Sequence, residues 1–413
     1  MSGRRWLAGL GPMGMKLGLE NIRELLSMLG NPQDSFASVH VAGTDGKGST
    51  CAMIHSILRS AGYRTGLYTS PHVTTMNERI IVDDTEITDE EIEHLANQIR
   101  PAAEYMGKNG RSCTFFEVMT AMAFLHFRDL GVKYAVIETG LGGRFDATNA
   151  ITPMISVITH ISLEHTAILG DTVEKIAFEK SGIIKNGVPV VTANTGPAFN
   201  VISKTAKERN SKIIRVRADD LSDVRTDSVK THMRYLVKDY EIGVPGSFQA
   251  ENAAVAIRTA KALGIADRHI TEGIKNVRWG SRMERAGDFI LDVTHTHAGA
   301  VGLAKDIGDI YGKVVLVFGI LDDKDVRRIA ETLAPIASRI VVTRPRSERA
   351  ADVTLIKRIF TEFHGDIRET KNVGEAIEEA MRLRGKGEYI LITGSFFMVG
   401  DAKEWLRKTY AGS

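Results

Sequence analysis

A glycine-rich stretch, GTDGKGST at residues 43–50, carries the residue types that hold a nucleotide phosphate. Its glycines let backbone N–H groups turn toward an anion, and a following helix would direct its N-terminus at the same place. Lys47 could reach the terminal phosphates, and the hydroxyl group of Ser49 or Thr50 could ligate magnesium. The predicted phosphate-binding residues are Gly43, Thr44, Asp45, Gly46, Lys47, Gly48, Ser49 and Thr50.

The loop departs from the usual P-loop in length. Only two residues separate Gly43 from Gly46, fewer than in the usual motif. It nevertheless follows an apolar, strand-like run and opens a helix-like run, which is the context that a phosphate loop requires. The pattern therefore predicts nucleotide binding rather than a plain strand-to-helix turn.

A carboxylate stands at the end of another predicted strand. Glu138 closes the run KYAVIE, and the carboxyl edge of the strands is where α/β sheets place their ligand sites. Magnesium prefers hard oxygen ligands of this kind. Glu138 is therefore the best candidate for a metal-ligating carboxylate.

Strand-like and helix-like runs alternate along most of the chain, which predicts the α/β class. Continuous apolar runs such as MISVITHIS indicate a parallel sheet covered on both faces. The polar, alternating segment 219–244 indicates a small antiparallel element, and a second alternating series begins near Phe289. We predict a P-loop nucleotide-binding domain with a mainly parallel sheet over residues 1–282, and a smaller Rossmann-like α/β domain over 283–413.

Length and composition favour a cytoplasmic protein with more than one domain. A chain of 413 residues exceeds what one core usually organises. A formal charge of +2, from 53 basic and 51 acidic residues, gives no electrostatic reason to expect nucleic acid or an anionic membrane as a partner. No apolar run is long enough to span a membrane, and two cysteines favour a reduced, cytoplasmic protein.

Eight motifs, spread over nearly the whole chain, occur in this order: GTDGKGST, TSPHVTTMNERI, IETGLGGRFDATN, ISLEHTAILGDT, IAFEKSGIIKNGVPVV, LDVTHTHAGA, VFGILDDKD and ITGSFFMVG. This series closely resembles the folylpolyglutamate synthase / dihydrofolate synthase family, within the Mur ligase superfamily. The resemblance implies ATP as the nucleotide, a carboxylate activated as an acyl phosphate, and transfer to an amine that is normally glutamate. We expect a monomer acting on small molecules.

The resemblance also implies roles for residues of the first domain. Two magnesium ions would be carried by Ser49, Ser70, Glu138, His165 and Lys180, and Lys180 matches a lysine that is carbamylated in many of these ligases. Gln249 and Asn252 match residues on the nucleotide side. Glu164 stands where the family usually has Asp, a mild change because a longer carboxylate still ligates or orients.

In the second domain, Asp292 and His295 match the family's strand-end Asp and His, and Asp292 is counted with the nucleotide-binding residues. Arg282 matches an arginine that reaches the phosphates when the domains close. Ser395 matches a serine proposed to touch the incoming amino acid. The family's His-Asn-Pro is His295-Thr296-His297 here, so His297 becomes a candidate partner for a substrate carboxylate. The catalytic residues expected are Lys47, His165, Lys180, Asp292 and His295.

Two other functions stay open at this point. The same mechanism could act on another carboxylate, either a cell-wall precursor or the nickel tetrapyrrole of methanogens, on which one such ligase closes a lactam. Alternatively, the chain could be a nucleotide-binding regulatory or transport-coupled ATPase. The joint presence of Glu138, His165, Lys180, Asp292 and His295 argues against the ATPase, because a switch protein needs no site in a second domain.

Overall fold

The computed structural model describes residues 2–10 and 18–410. The chain forms two compact units that are discontinuous in sequence. The first unit comprises Met1–His72, Met76–Asp220 and Glu251–Asn276, and the second comprises Val73–Thr75, Leu221–Ala250 and Val277–Ser413. The single division after residue 282 stays a prediction about domains.

The first unit is built on a mainly parallel sheet, as the apolar runs predicted. Its strands are β1 (Ala37–Ala42), β2 (Thr65–Tyr68), β3 (Ile80–Val82), β4 (Thr85–Glu86), β5 (Tyr134–Glu138), β6 (Ile155–Ile158), β7 (Val190–Thr192) and β8 (Ile213–Arg215). Their order is β4-β3-β2-β5-β1-β6-β7-β8, and within it β2–β3 and β3–β4 are the antiparallel pairs.

Helices cover both faces of this sheet, so its central strands are buried. They are α1 (Gly3–Gly9), α2 (Glu20–Met28), α3 (Lys47–Ser60), α4 (Asp89–Lys108), α5 (Phe115–Asp129), α6 (Thr166–Leu169), α7 (Val173–Ser181), α8 (Gly196–Glu208), α9 (Gln249–Ala262) and α10 (Asp267–Asn276). One apolar cluster lies among α2, α4 and α5, and another lies among α7 and α8. Short 3-10 turns occur at Pro32–Asp34, Met76–Arg79, Ala147–Ala150, Ala218–Asp220 and Ala334–Ile336.

The register of the central strands aligns their carboxyl ends. Val41 pairs with Glu138, and Ala42 pairs with Ile158. The residues that follow β1, β5 and β6 therefore emerge at one edge of the sheet, where a parallel α/β sheet places its ligand site.

Helix α3 differs from the sequence-based expectation. From the sequence, the apolar residues Ala52, Ile54, Ile57 and Leu58 lie on roughly one face, which predicts a helix buried on that face only. In the structure, nearly every residue from Gly48 to Leu58 is buried, including Cys51. The cause is a second covering helix, α10. A Cβ atom on Gly273 would lie 2.4 Å from the Cα atom of Ile57, and Gly273 accepts a hydrogen bond from Ser56 Oγ at 2.7 Å. Periodicity within α3 cannot reveal a neighbour more than 200 residues away in the chain.

The second unit contains two sheets. The polar segment folds as predicted into an antiparallel sheet of β9 (Leu221–Thr226), β10 (Thr231–Tyr235) and β11 (Lys238–Ile242). The larger sheet has the order β12-β13-β17-β14-β15-β16, and β12–β13 is its antiparallel pair. Its strands are β12 (Glu284–Ala286), β13 (Phe289–Leu291), β14 (Val314–Phe318), β15 (Ala337–Val342), β16 (Ile367–Glu369) and β17 (Ile390–Thr393).

Helices alternate with the parallel strands of this larger sheet and cover both of its faces. They are α11 (His297–Tyr311), α12 (Val326–Leu333), α13 (Val353–Thr361), α14 (Val373–Leu383) and α15 (Phe396–Tyr410). Separate apolar clusters fill the two sides of the sheet. Across residues 2–10 and 18–410, no helix combines the length and the apolar character needed to cross a bilayer.

Candidate functional site

The glycine-rich loop connects β1 to α3 at the carboxyl edge of the large sheet. Two of its glycines are required by close approach. A Cβ atom on Gly43 would lie 1.8 Å from Thr159 Oγ1, and one on Gly46 would lie 2.2 Å from Asn252 Oδ1. Gly46 also has φ 80, the left-handed region that favours glycine, and it is the N-cap residue of α3.

The loop is anchored to the end of β6 and to the segment that follows. The backbone N–H groups of Thr44 and Asp45 donate to the carbonyl oxygen of His160, at 2.8 and 3.2 Å. Thr159 Oγ1 donates to the Asp45 carbonyl oxygen at 2.7 Å, and Ser162 Oγ donates to Asp45 Oδ2 at 3.0 Å. These bonds fix the loop before any ligand arrives. Thr159 and Ser162 were not predicted from the sequence, although Ser162 is the second residue of the quoted motif ISLEHTAILGDT and Thr159 lies two residues before that motif.

The polar side chains at the start of α3 are placed to receive an anion and its metal. Lys47 Nζ donates to the Thr44 carbonyl oxygen at 3.0 Å, so the ammonium group lies back over the loop. The hydroxyl oxygens of Ser49 and Thr50 are buried, and neither makes a hydrogen bond with any group in the described parts of the chain. Buried hydroxyls normally have partners. These two oxygens therefore suit a hard cation or a phosphate oxygen.

Glu138 lies at the same sheet edge, at the end of β5 as predicted. Its side chain is almost fully buried, and its Oε2 atom accepts a hydrogen bond from the backbone N–H of Ser70 at 3.0 Å. The carboxylate and the segment after β2 are thereby held together. Glu138 and Ser70 both belong to the proposed set of metal ligands.

Lys180, on α7, lies beneath the phosphate loop. Its ammonium nitrogen is 2.6 Å from the carbonyl oxygen of Gly43, and the side chain is buried. The pKa of Lys180 is lowered to about 7, mainly by burial and also by the nearby charge of Lys47, while Glu164 and Asp45 act in the opposite direction. A substantial fraction of this amine is therefore neutral near neutral pH, the form that can react with carbon dioxide.

His165 begins the short helix α6. It occupies the N-cap position with φ 50, and its Nε2 atom lies 3.6 Å from Glu164 Oε1. Over residues 2–10 and 18–410, no three His, Cys, Asp or Glu side chains form a metal-binding group. The proposed ligand set contains only two residues of these types, Glu138 and His165, with hydroxyl groups and Lys180 completing it.

Helix α9 brings a further predicted residue to the loop. The amide of Asn252 is the group that Gly46 approaches, which places Asn252 beside the N-terminus of α3. Gln249 is the first residue of α9, and its backbone N–H donates to the carbonyl oxygen of Gly246 at 2.9 Å. Gln249 belongs to the second unit and Asn252 to the first.

In the second unit, Asp292 follows β13 and is fully buried. Its Oδ2 atom accepts from the backbone N–H of Met283 at 2.9 Å, and its Oδ1 atom accepts from that of Thr294 at 2.8 Å. Asp292 thus ties the turn that carries Arg282 to the loop that carries His295. The Asp292 carboxylate therefore stabilises the local structure, a role separate from the nucleotide-binding and catalytic roles predicted from the sequence.

The loop after β13 contains the altered family motif. His295 Nδ1 lies 2.8 Å from the carbonyl oxygen of Val293. Thr296 is the N-cap of α11, accepting a hydrogen bond from the Gly299 backbone N–H at 3.1 Å. His297 is the first residue of that helix and is exposed. Threonine therefore keeps the helix start capped where the family usually has Asn.

Ser395 lies at the end of β17, where its hydroxyl group is already engaged. It donates to the Gly319 carbonyl oxygen at 3.3 Å and accepts from the Met398 backbone N–H at 3.1 Å. The predicted residues thus fall into two sets. One gathers around the phosphate loop of the first unit, and the other around the ends of β13 and β17 in the second unit.

Two family models match the chain in order. The Mur ligase middle domain matches residues 41–260, and the Mur ligase glutamate ligase domain matches residues 281–396. The first match includes the phosphate loop, Glu138, His165, Lys180 and Asn252. The fold and the site thus define a Mur-type ligase.

Individual relatives narrow this class. The chain is 34% identical to the dihydrofolate synthase/folylpolyglutamate synthase of Bacillus subtilis over 98% of each chain. The structure superposes on Mycobacterium tuberculosis folylpolyglutamate synthase complexed with ADP and AMPPCP with a TM-score of 0.89, at 30% identity, covering 97% of this chain and 96% of that one. For E. coli FolC in complex with DHPP and ADP, the TM-score is 0.87 at 27% identity, covering 99% and 98%. The chain belongs to the folylpolyglutamate synthase / dihydrofolate synthase family of Mur ligases.

Proposed function

We propose that this chain is an ATP-dependent ligase that joins glutamate to the carboxylate of a pterin- or folate-type acceptor, releasing ADP and phosphate. The observation that carries the proposal is the prearranged loop before α3, with Lys47 over it. Behind it lie the hydroxyls of Ser49 and Thr50, which make no hydrogen bond within residues 2–10 and 18–410. The relatives named above supply the substrate class.

The first step transfers a phosphoryl group. An acceptor carboxylate oxygen attacks the γ-phosphorus of ATP, the bond to the β,γ-bridging oxygen breaks, and ADP leaves with that electron pair. Negative charge accumulates on the phosphate oxygens, where Lys47 and the backbone amides at the start of α3, residues 46–48, stabilise it. The anchoring of the loop on His160 and Thr159 means that little reorganisation is needed at that moment.

The second step forms the amide. The amine of glutamate attacks the carbonyl carbon of the acyl phosphate, a proton leaves the nitrogen, and inorganic phosphate departs. We assign the amino-acid side of this step to His295, His297 and Ser395 in the second unit. His297 is exposed at the start of α11, and an imidazolium there would favour a substrate carboxylate, as would the helix N-terminus.

Magnesium is part of the proposal, because the oxygens present suit it. Ser49, Ser70, Glu138, His165 and a carbamylated Lys180 would hold it, and bound magnesium would neutralise charge on the transferred phosphoryl group. Carbamylation replaces one N–H bond of Lys180 with a bond to the carbon of carbon dioxide and releases a proton. The lowered pKa of this buried amine, about 7, supports it.

Arg282, Asp292, Gln249 and Asn252 complete the nucleotide side of the proposal. Asn252 lies against Gly46 and so borders the phosphate loop directly. Arg282 would add its cation when the domains close, which would make closure a condition for turnover.

Incubation with labelled glutamate, ATP and a panel of pterin and folate acceptors tests this function. We expect label in an acceptor product and ADP release that requires both the acceptor and glutamate. ADP release on a different carboxylate without glutamate would instead support a Mur ligase for another substrate, including one that closes a lactam. Substrate-independent ADP release would point to a simple ATPase and refute the ligase.

A further inference from the structure

One aromatic ring in the second unit contacts two of the predicted functional side chains. Phe396, the first residue of α15, has the guanidinium carbon of Arg282 5.7 Å from its ring centroid. The imidazole of His295 lies on the same ring, with centroids 5.6 Å apart and planes inclined by 56°. Nothing in the sequence analysis singled out Phe396.

The turn that presents Arg282 is strained on both sides. Ser281 has φ 59 and Met283 has φ 46, left-handed values that cost free energy for residues other than glycine. Hydrogen bonds hold the turn in this shape: Ser281 N–H donates to Glu284 Oε2 at 2.6 Å, and Met283 N–H donates to Asp292 Oδ2 at 2.9 Å. A strained turn that its surroundings hold so firmly fixes the direction in which Arg282 leaves the backbone.

The ring has a rigid support. Phe396 is half-buried against the apolar cluster that contains Leu291, Ile392 and Met398. The preceding residue, Ser395, is fixed by its bonds to Gly319 and Met398. These contacts restrict the directions in which the ring of Phe396 can face.

We propose that Phe396 is a positioning residue that holds the Arg282 guanidinium and the His295 imidazole in one fixed relation. A cation is attracted to an aromatic face at this distance, and an imidazole packs against its inclined neighbour. The contact with Phe396 prearranges the Arg282 cation, assigned to the phosphates, and the His295 imidazole, assigned to the amine substrate. Neither side chain then has to be ordered during the reaction. The role rests on the proposed function, since it assigns Arg282 and His295 to the ligase reaction.

The adjacent aromatic residue provides a matched control. Phe397 is 45% exposed. Replacing Phe397 with leucine removes a ring of the same size from the same helix and leaves the Phe396 ring beside Arg282 and His295 in place. Phe396→Leu keeps an apolar side chain against the cluster, and Phe396→Tyr keeps the ring.

Glutamate-dependent ADP release should separate these variants. We expect Phe396→Leu to lower kcat/KM for glutamate by roughly five- to thirtyfold, the range for losing one well-placed contact. Phe396→Tyr and Phe397→Leu should stay within about twofold of the wild type, because both preserve the ring at position 396. Melting temperatures measured alongside identify any loss that comes from unfolding.

A double-mutant cycle with Arg282→Lys distinguishes positioning from packing. If Phe396 acts through Arg282, Phe396→Leu should change kcat/KM in the Arg282→Lys background by less than about half of the free-energy effect that it has in the wild type. Equal effects of Phe396→Leu and Phe397→Leu, or fully multiplicative effects in the cycle, would overturn the proposal.

A second readout does not depend on turnover. The ring current of Phe396 should shift the NMR signals of Arg282 Nε–H and of the His295 ring, and both shifts should disappear in Phe396→Leu. Absence of these shifts in the wild type would refute the contact itself. A wild type that shows the shifts but no glutamate-dependent ADP release would refute the proposed function while leaving the contact established.

Discussion

Replacing Gly46 with alanine should damage nucleotide use far more than it damages the fold. Gly46 has φ 80, and an added Cβ atom would lie 2.2 Å from Asn252 Oδ1. Even a tight contact requires 3.0 Å, so the Asn252 amide or the loop must retreat by about 0.8 Å. Displacements of about 1 Å at a reacting site can cost roughly a hundredfold in rate.

Gly264 offers a control with the same backbone strain. Its φ is 79, and apart from Gly264 itself and its two chain neighbours no heavy atom of the described residues lies within 4 Å of the position where a Cβ atom would be. Alanine in the left-handed region costs about 1–2 kcal/mol at either position. Gly264→Ala should therefore lower the free energy of unfolding by the strain alone, and Gly46→Ala by that amount plus the cost of moving the Asn252 amide, both measured by urea denaturation.

Steady-state kinetics with varied ATP then isolates the contact with Asn252. We expect Gly264→Ala to leave kcat/KM for ATP within about twofold of the wild type, and Gly46→Ala to lower it by roughly ten- to a hundredfold. Equal kinetic losses in the two variants would attribute the effect to strain alone. An unchanged kcat/KM in Gly46→Ala would refute the placement of Asn252 beside the phosphate loop.

Other variants test the charged groups. Lys47→Ala should abolish ADP release while keeping the wild-type melting temperature, because its cation meets the phosphates rather than the core; near-normal turnover at saturating ATP would contradict this. Lys180→Ala should be nearly inactive and partly restored by short carboxylic acids, whereas full wild-type activity in carbon-dioxide-free buffer would contradict carbamylation. Burial raises the pKa of Asp306 in the folded state, although Ser247 donates two hydrogen bonds to it. At pH values above the ordinary Asp pKa, the unfolded chain therefore binds fewer protons than the folded chain. The Asp306 carboxylate consequently lowers the free energy of unfolding as the pH rises through this range. Asp306→Asn should accordingly gain in melting temperature relative to the wild type between about pH 4 and pH 7; a difference that is constant with pH would refute this.

The parallel core of the first unit was predictable because β5 and β6 are continuous apolar runs, which only a sheet covered on both faces buries. Glu138 could be placed at a strand end for the same reason, since the run KYAVIE ends in it. These inferences depend on residues adjacent in the chain.

Contacts between distant segments were not predictable in this way. The burial of α3 depends on Gly273, and the anchoring of the phosphate loop depends on Thr159 and Ser162. No local pattern distinguishes such residues from other small or hydroxyl-bearing residues. In the sequence, Phe396 is likewise indistinguishable from an ordinary apolar residue at the start of a helix. Its contacts with Arg282 and His295 form only when three separate segments of the chain fold together.

The buried state of α3 has a practical consequence for measuring ligand binding. Cys51 lies within this helix with no exposed surface, and burial, followed by the charge of Glu138, raises the pKa of its thiol well above the usual range. Such a thiol reacts with an alkylating reagent only when the protein around it opens. The rate of its alkylation therefore counts openings of the phosphate-binding region, and a ligand at about a hundred times its dissociation constant should slow those openings by roughly a hundredfold. The native sequence thus carries its own chemical probe of nucleotide affinity, readable by mass spectrometry without a coupled enzyme or a label on the ligand.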